Sequence, residues 1–280
     1  MQTTPIEILK SLSAEQFFGK FFRTHPFLIS GHLAHWPALR VWSPTYLKER
    51  FGRSTIRVSL YDPDLPESFF EQTISFVHRT MALGDYVDTF QTSRDSRFVL
   101  REDNKLLEEF PEMLSELAYF SPFCSNKSAS TLKYKSLWLG PPNYSTGLHS
   151  DPGDTLLFQI SGHKRVLLYD REQTKYLYQE SEENVLDRAS KLTPKSGIDP
   201  SYLKVLLQQV GWCKVNPFNA DPVRFPLFEN ATAIEAFLGP GDALYIPDRW
   251  WHAVRSLDST ISVSIEPTFD GPLFVAKPEE

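Results

Sequence analysis

Two imidazoles and one carboxylate stand in a pattern that could hold a metal ion. They are His149 and Asp151 in His149-Ser150-Asp151, and His252, which closes Pro247-Asp248-Arg249-Trp250-Trp251-His252. Two histidines and a carboxylate form the facial ligand set of non-haem Fe(II), which leaves coordination positions open for substrate and oxygen. The spacing suits that task. In an extended strand, residues i and i+2 point to one face, so His149 and Asp151 can grip one ion while Ser150 points away. An H-x-D tripeptide is common, so the surrounding elements must decide whether these residues meet. The other histidines, His25, His32, His35, His78 and His163, read as structural or solvated side chains.

The elements that would position the triad begin near residue 132, where the chain becomes a series of short apolar runs separated by turns. Strands are predicted at 133–139, 155–160, 164–169, 243–246, 251–256 and 260–266. The turns are Pro141-Pro142-Asn143, Ser161-Gly162 and Gly239-Pro240-Gly241-Asp242. Serial short strands suggest an antiparallel barrel or sandwich. Residues 171–200 are polar and contain Glu180-Ser181-Glu182-Glu183, which reads as an insertion between strands.

Upstream, Ser13-Ala14-Glu15-Gln16 predicts a capped amphipathic helix and 26–30 a short strand. Ser43-Pro44 opens a helix reaching Phe51, and 55–60 alternates as a strand should. Helical spacing recurs at 81–90 and 104–120, with Pro111 ending or kinking the second run. We therefore expect one structural unit over 1–280, with a support at about 1–131 and a barrel core at about 132–267.

Composition bounds the function classes. A hydrophobic content of 41% and a charged content of 23% suit a globular enzyme. The net charge of −6 argues against a broad nucleic-acid footprint. The two cysteines, Cys124 and Cys213, form neither a disulfide framework nor a zinc knuckle, which points to a reducing compartment. The start of the chain lacks the basic and apolar pattern of a secretory signal, and no apolar run approaches a membrane span. An intracellular location, cytoplasmic or nuclear, is the expectation, with no membrane association.

Several longer segments share their order and wording with one known family. They are Thr155-Leu-Leu-Phe-Gln-Ile160, His163-Lys164-Arg165-Val-Leu-Leu-Tyr169 and Leu238-Gly-Pro-Gly-Asp-Ala-Leu-Tyr-Ile-Pro247, together with the triad. Arg23-Thr-His-Pro-Phe-Leu-Ile-Ser-Gly31 and Val215-Asn-Pro-Phe-Asn-Ala-Asp-Pro-Val-Arg-Phe-Pro-Leu-Phe228 extend the match. The chain resembles the JmjC branch of the cupin-fold Fe(II)/2-oxoglutarate oxygenases, its small hydroxylase-type members in particular, over roughly residues 10–267. Phe76-Val-His-Arg-Thr-Met81 and Lys175-Tyr-Leu-Tyr178 are similar to the member that hydroxylates a modified tRNA base.

The resemblance implies a mainly β fold with flanking helices, a double-stranded β-helix (jelly-roll or cupin) barrel. It implies Fe(II) held by His149, Asp151 and His252, with 2-oxoglutarate as cosubstrate and O2 as oxidant. Lys164, fifteen residues after His149, would pair with the distal carboxylate of 2-oxoglutarate, and Thr146 would bind the same group. Thr155, a further candidate for binding the cosubstrate, stands where relatives usually carry Asn. In the 98–100 stretch relatives tend to place a Tyr that this chain lacks, so Tyr134 is a candidate replacement. Tyr134, Trp138 and Trp250 are candidate substrate-pocket residues, Trp250 because period 2 puts it on the face of His252. The implied activity is hydroxylation of a protein side chain. A small molecule or modified tRNA base as substrate, N-methyl-lysine demethylation and a non-catalytic metal-binding cupin are the alternatives. The chain is expected as a monomer or homodimer.

Overall fold

A computed structural model describes residues 2–60, 78–92, 98–100, 106–117, 135–187, 210–267 and 269. Tyr134, the first two residues of the 76–81 segment, and 188–200 of the polar insertion lie outside them. The strands are β1 (Gln2–Pro5), β2 (Ile8–Leu9), β3 (Phe27–Ile29), β4 (Thr55–Leu60), β5 (His78–Ala82), β6 (Phe98–Val99), β7 (Lys135–Gly140) and β8 (Ser145–Ser150). They continue with β9 (Thr155–Ser161), β10 (Lys164–Tyr169), β11 (Gly211–Trp212), β12 (Thr232–Leu238), β13 (Ala243–Ile246), β14 (Trp251–Ser256) and β15 (Thr260–Ile265).

Two six-stranded sheets carry the fold, in the orders β1-β12-β10-β14-β8-β11 and β2-β3-β13-β9-β15-β7. Along the chain β7, β8, β9 and β10 alternate between the sheets, and so do β12, β13, β14 and β15. This is the jelly-roll winding the sequence led us to expect. A third sheet, β5-β4-β6, stands apart. The short strands β1 to β3 extend the two barrel sheets from the N-terminal side.

Period-2 alternation explains how the sheets are filled. Leu157, Leu244 and Ile246 from one sheet meet Val166, Leu168, Ala236 and Leu238 from the other, forming the barrel interior. The opposite face of β9, with Leu156, Phe158 and Ile160, packs under the N-terminal helices against Phe17, Trp36, Leu47 and Tyr86. Burial on both faces is why β9 shows no apolar–polar alternation across Leu156, Leu157 and Phe158. The outer face of the other sheet, with Leu148, Trp251 and Ala253, is covered by Leu177, Cys213, Phe225 and Phe228.

The helices follow their caps. Ser13 and Gln16 form a reciprocal capping box, and the helix passes from Ala14–Gln16 into a wider turn at Phe17–Phe21. Ser43 caps Pro44–Phe51, with Pro44 in the first turn. The 81–90 expectation is corrected at its start: His78–Ala82 is a strand, paired with β4, and the helix is Leu83–Thr92. Pro111 divides Leu106–Glu109 from Pro111–Glu116, because a proline has no N–H to donate within a helix. Among the described residues no helix is long and apolar enough to cross a membrane.

Candidate metal centre

The triad residues converge. His149 on β8 and His252 on β14 are cross-strand partners, with ring centroids 4.1 Å apart. Asp151 follows the end of β8, and its Oδ2 lies 3.6 Å from Nε2 of each histidine. One ligand atom from each residue falls within 4.8 Å of the others. Each ring is turned by its own backbone: Nδ1 of His149 meets the Gly147 carbonyl at 2.7 Å, and Nδ1 of His252 meets the Trp250 carbonyl at 3.0 Å. A carbonyl only accepts, so both protons sit on Nδ1 and both Nε2 atoms present lone pairs toward Asp151. Burial, and then the neighbouring His149, pull His252 down to about 4, keeping it neutral as metal ligation requires.

A β-bulge sets the composition of the wall beside the triad. Between the pairs His252–His149 and Val254–Thr146, β14 advances two residues while β8 advances three. In a regular strand Thr146 and His149 would face opposite ways, since their separation is odd. The extra residue in β8 puts both beside the inward residues of β14 and re-aims the hydroxyl of Thr146. That hydroxyl accepts a hydrogen bond from the Val254 amide at 3.0 Å.

Asp151 is held by a latch between two loops. The Arg249 amide donates to the Asp151 carbonyl at 3.1 Å, with Arg249 itself in the left-handed region at φ 61°. The Gly153 amide donates to Asp248 Oδ1 at 2.6 Å. Buried Asp154 accepts from the Tyr245 hydroxyl at 2.5 Å, the Asp248 amide at 3.2 Å and Arg23 Nε at 3.3 Å. Asp154→Ala removes the acceptor for three donors while leaving the ligands intact. We expect metal affinity to fall by roughly tenfold to a hundredfold and stability by about 1–3 kcal/mol. Competitive Mn(II) titration and thermal unfolding measure the two effects. Unchanged metal affinity would reduce Asp154 to a structural role.

Next to the triad lies a cleft of about 290 Å³, its open mouth included. Trp138, Thr146 and Lys164 line it, as do Tyr144, Leu100 and Val254. Lys164 on β10 pairs with Ser256, four residues beyond His252 on β14, so it stands about 13 Å along the sheet from the His pair. It is buried, its ammonium donates to the Ser262 hydroxyl, and burial lowers it to about 7. Among the described residues no carboxylate pairs with it.

Not every candidate reaches this cleft. Trp138 does, with Nε1 donating to Ser264 at 2.8 Å. Trp250 faces the barrel interior but packs there against Leu28, Leu157 and Ile246 and is absent from the cleft lining. Thr155 is half-buried at the start of β9, next to Asp154, also away from the cleft wall.

Two residues near the site escaped sequence reasoning. Trp212 stacks on the His149 ring, with centroids 5.9 Å apart and planes at 22°, as its cross-strand partner in β11. A two-residue strand beyond a long polar insertion leaves no periodic signal. Tyr144 follows the Pro-Pro-Asn turn and lines the cleft. Its place in a turn motif concealed it.

With this geometry in view, comparison with known proteins is informative. A profile for the cupin-like domain matches residues 14–266. The chain is 25% identical over 249 residues to lysine-specific demethylase 8 of Xenopus tropicalis, covering 87% of this chain and 49% of that protein. It is 24% identical over 243 residues to the human bifunctional peptidase and (3S)-lysyl hydroxylase JMJD7, covering 85% and 76%. It is 23% identical over 280 residues to human tRNA wybutosine-synthesizing protein 5, covering 94% and 78%. The chain thus spans about half the length of the demethylase and most of the other two. A match over so much of its length, on a jelly-roll that brings two histidines and an aspartate together, places it in a family: the chain belongs to the cupin-like domain family, in its JmjC-like branch.

Proposed function

We propose that this chain is an Fe(II)- and 2-oxoglutarate-dependent oxygenase that hydroxylates a protein side chain. The observation that carries the reading is the pairing, along one barrel wall, of an open three-ligand site with a buried lysine that has no anionic partner among the described residues. A buried cation is unfavourable unless something neutralises it. A dicarboxylate reaching from the metal to Lys164 would do so, with Thr146 between them.

The residues fit both groups. His149, Asp151 and His252 would hold Fe(II), and Lys164 with Thr146 would hold the far carboxylate of the 2-oxo acid. Fe(II) with a 2-oxo acid supplies the oxidising chemistry, in which O2, the 2-oxo acid and a C–H bond yield an alcohol, CO2 and the shortened acid. The protein's own part is to orient, exclude water and hold charge. The backbone carbonyls of Gly147 and Trp250 fix the imidazole tautomers. The apolar barrel floor below Val254 keeps water from the interior.

The likeness to a lysyl hydroxylase that the chain covers to 76% supports a protein side chain as substrate. A modified tRNA base is the second reading, favoured by alignment over 94% of the chain with a tRNA-modifying protein and disfavoured by the net charge of −6. Demethylation is the third, since other relatives are named as lysine demethylases. Purified protein given Fe(II), ascorbate and 2-oxoglutarate should release succinate, and candidate peptides should gain one oxygen by mass spectrometry. Loss of a methyl group would replace hydroxylation with demethylation. Oxygen gain on tRNA alone would move the substrate to nucleic acid.

A further inference from the structure

A histidine that holds a metal must keep its lone pair on the ion, which takes more than the right tautomer. His149 is the more exposed of the two ligand histidines, its side chain 15% accessible against 7% for His252. The hydrogen bond between Nδ1 and the Gly147 carbonyl fixes the tautomer and one ring atom. The plane of the ring is set by what lies on its faces. Trp212 covers one face, with centroids 5.9 Å apart and planes at 22°, the geometry of an offset stack. At 5% exposure, Trp212 also keeps water from that side of the ring.

The backbone holds the indole there from both sides. β11 pairs with β8, and the Cys213 amide donates to the Leu148 carbonyl at 3.0 Å. On its other side, the Glu180 amide donates to the Trp212 carbonyl at 2.7 Å, and the Lys214 amide donates to the Tyr178 carbonyl at 3.0 Å. Gln179 bridges Cys213, so Glu180 stands opposite Trp212. One row therefore runs through His252, His149, Trp212 and Glu180 across neighbouring strands. Gly211 lets β11 draw this close. A methyl group on it would collide with Ser150 Oγ and lie 2.8 Å from the Trp251 ring.

We infer that Trp212 is a positioning residue for the metal centre: its indole fixes the plane of the His149 imidazole and so keeps Nε2 aimed at the ion. It acts through His149 and touches neither ion nor substrate. This role rests on the proposed metal binding by the triad and holds whichever substrate is oxidised. Competitive Mn(II) titration and the visible absorption of the Co(II)-loaded protein test it without turnover.

Trp212→Leu stays apolar but has no flat face. It should weaken Mn(II) by about tenfold and change the Co(II) absorption band, whereas Trp212→Phe should keep Mn(II) affinity within about twofold of wild type and leave the band in place. Gly211→Ala keeps the indole but pushes β11 from β8, and should behave as Trp212→Leu does. A lower thermal midpoint in Trp212→Leu, with wild-type Mn(II) affinity and Co(II) absorption, would reduce Trp212 to core packing and overturn the inference. Equal losses in the Leu and Phe variants would also overturn it, because indole volume and not an aromatic face would then be what counts. A wild-type protein that binds neither Mn(II) nor Co(II) would remove the metal centre itself, and the role of Trp212 with it.

Discussion

His252→Ala should abolish retention of iron and reduce succinate release by at least a thousandfold, while the protein stays folded. The loss is large because groups that act together on one centre are not additive, and removing one disables the set. His252 is the buried member, while Asp151 is partly exposed. Its ring is oriented by the Trp250 carbonyl, its cross-strand partner is His149, and water has little access with which to replace the missing ligand. The fold should tolerate the change. His252 is held neutral, so its removal strands no buried charge, and the one carbonyl it leaves costs about 1–3 kcal/mol. Metal analysis after desalting, a succinate assay and thermal unfolding separate these effects. If neither wild type nor variant releases succinate while both hold metal, the chain is a metal-binding cupin and the oxygenase reading fails.

The sequence revealed the candidate metal ligands better than the strand that carries His149. β9, β10, β13, β14 and β15 announced themselves by β-branched and apolar runs between glycine turns. β8 did not: Ser145-Thr146-Gly147-Leu148-His149-Ser150 is polar and interrupted, because a bulge breaks its alternation. The same bulge is what makes the odd spacing of Thr146 and His149 productive. β12 was missed for another reason. Thr232-Ala-Ile-Glu-Ala-Phe-Leu238 is rich in helix formers, and its pairing with β10 and β1 overrides that preference. Nor do His149 and Asp151 share a strand. β8 ends at Ser150, and the latch through Arg249, Gly153 and Asp154 brings the carboxylate into place. Such a latch joins residues about a hundred positions apart, and no local pattern encodes it.

Lys164→Met should make the protein more stable and leave it unable to hold 2-oxoglutarate. Lys164 lies at about 7 in the folded protein against 10.5 when exposed, and burial is the cause. For a base, a lowered value means that folding disfavours the charged form. The penalty is therefore complete below pH 7, declines as pH rises between 7 and 10.5, and vanishes above. Its size below pH 7 is on the order of 5 kcal/mol. Methionine keeps the length of the side chain without the charge, so the variant should unfold at higher temperature than wild type at pH 6, with the gap closing toward pH 10. In exchange, 2-oxoglutarate affinity should fall at least a hundredfold, because a buried charge-assisted hydrogen bond is lost. Wild-type binding near pH 8 should also take up a proton as the incoming carboxylate restores the ammonium. Calorimetry in buffers of different ionisation enthalpy measures that proton directly. A variant with unaltered stability at pH 6, or wild-type binding with no proton uptake, would mean that Lys164 is already neutralised by a partner within the protein. The cleft would then have no need of an anion, and the main physical argument for a dicarboxylate cosubstrate would fail.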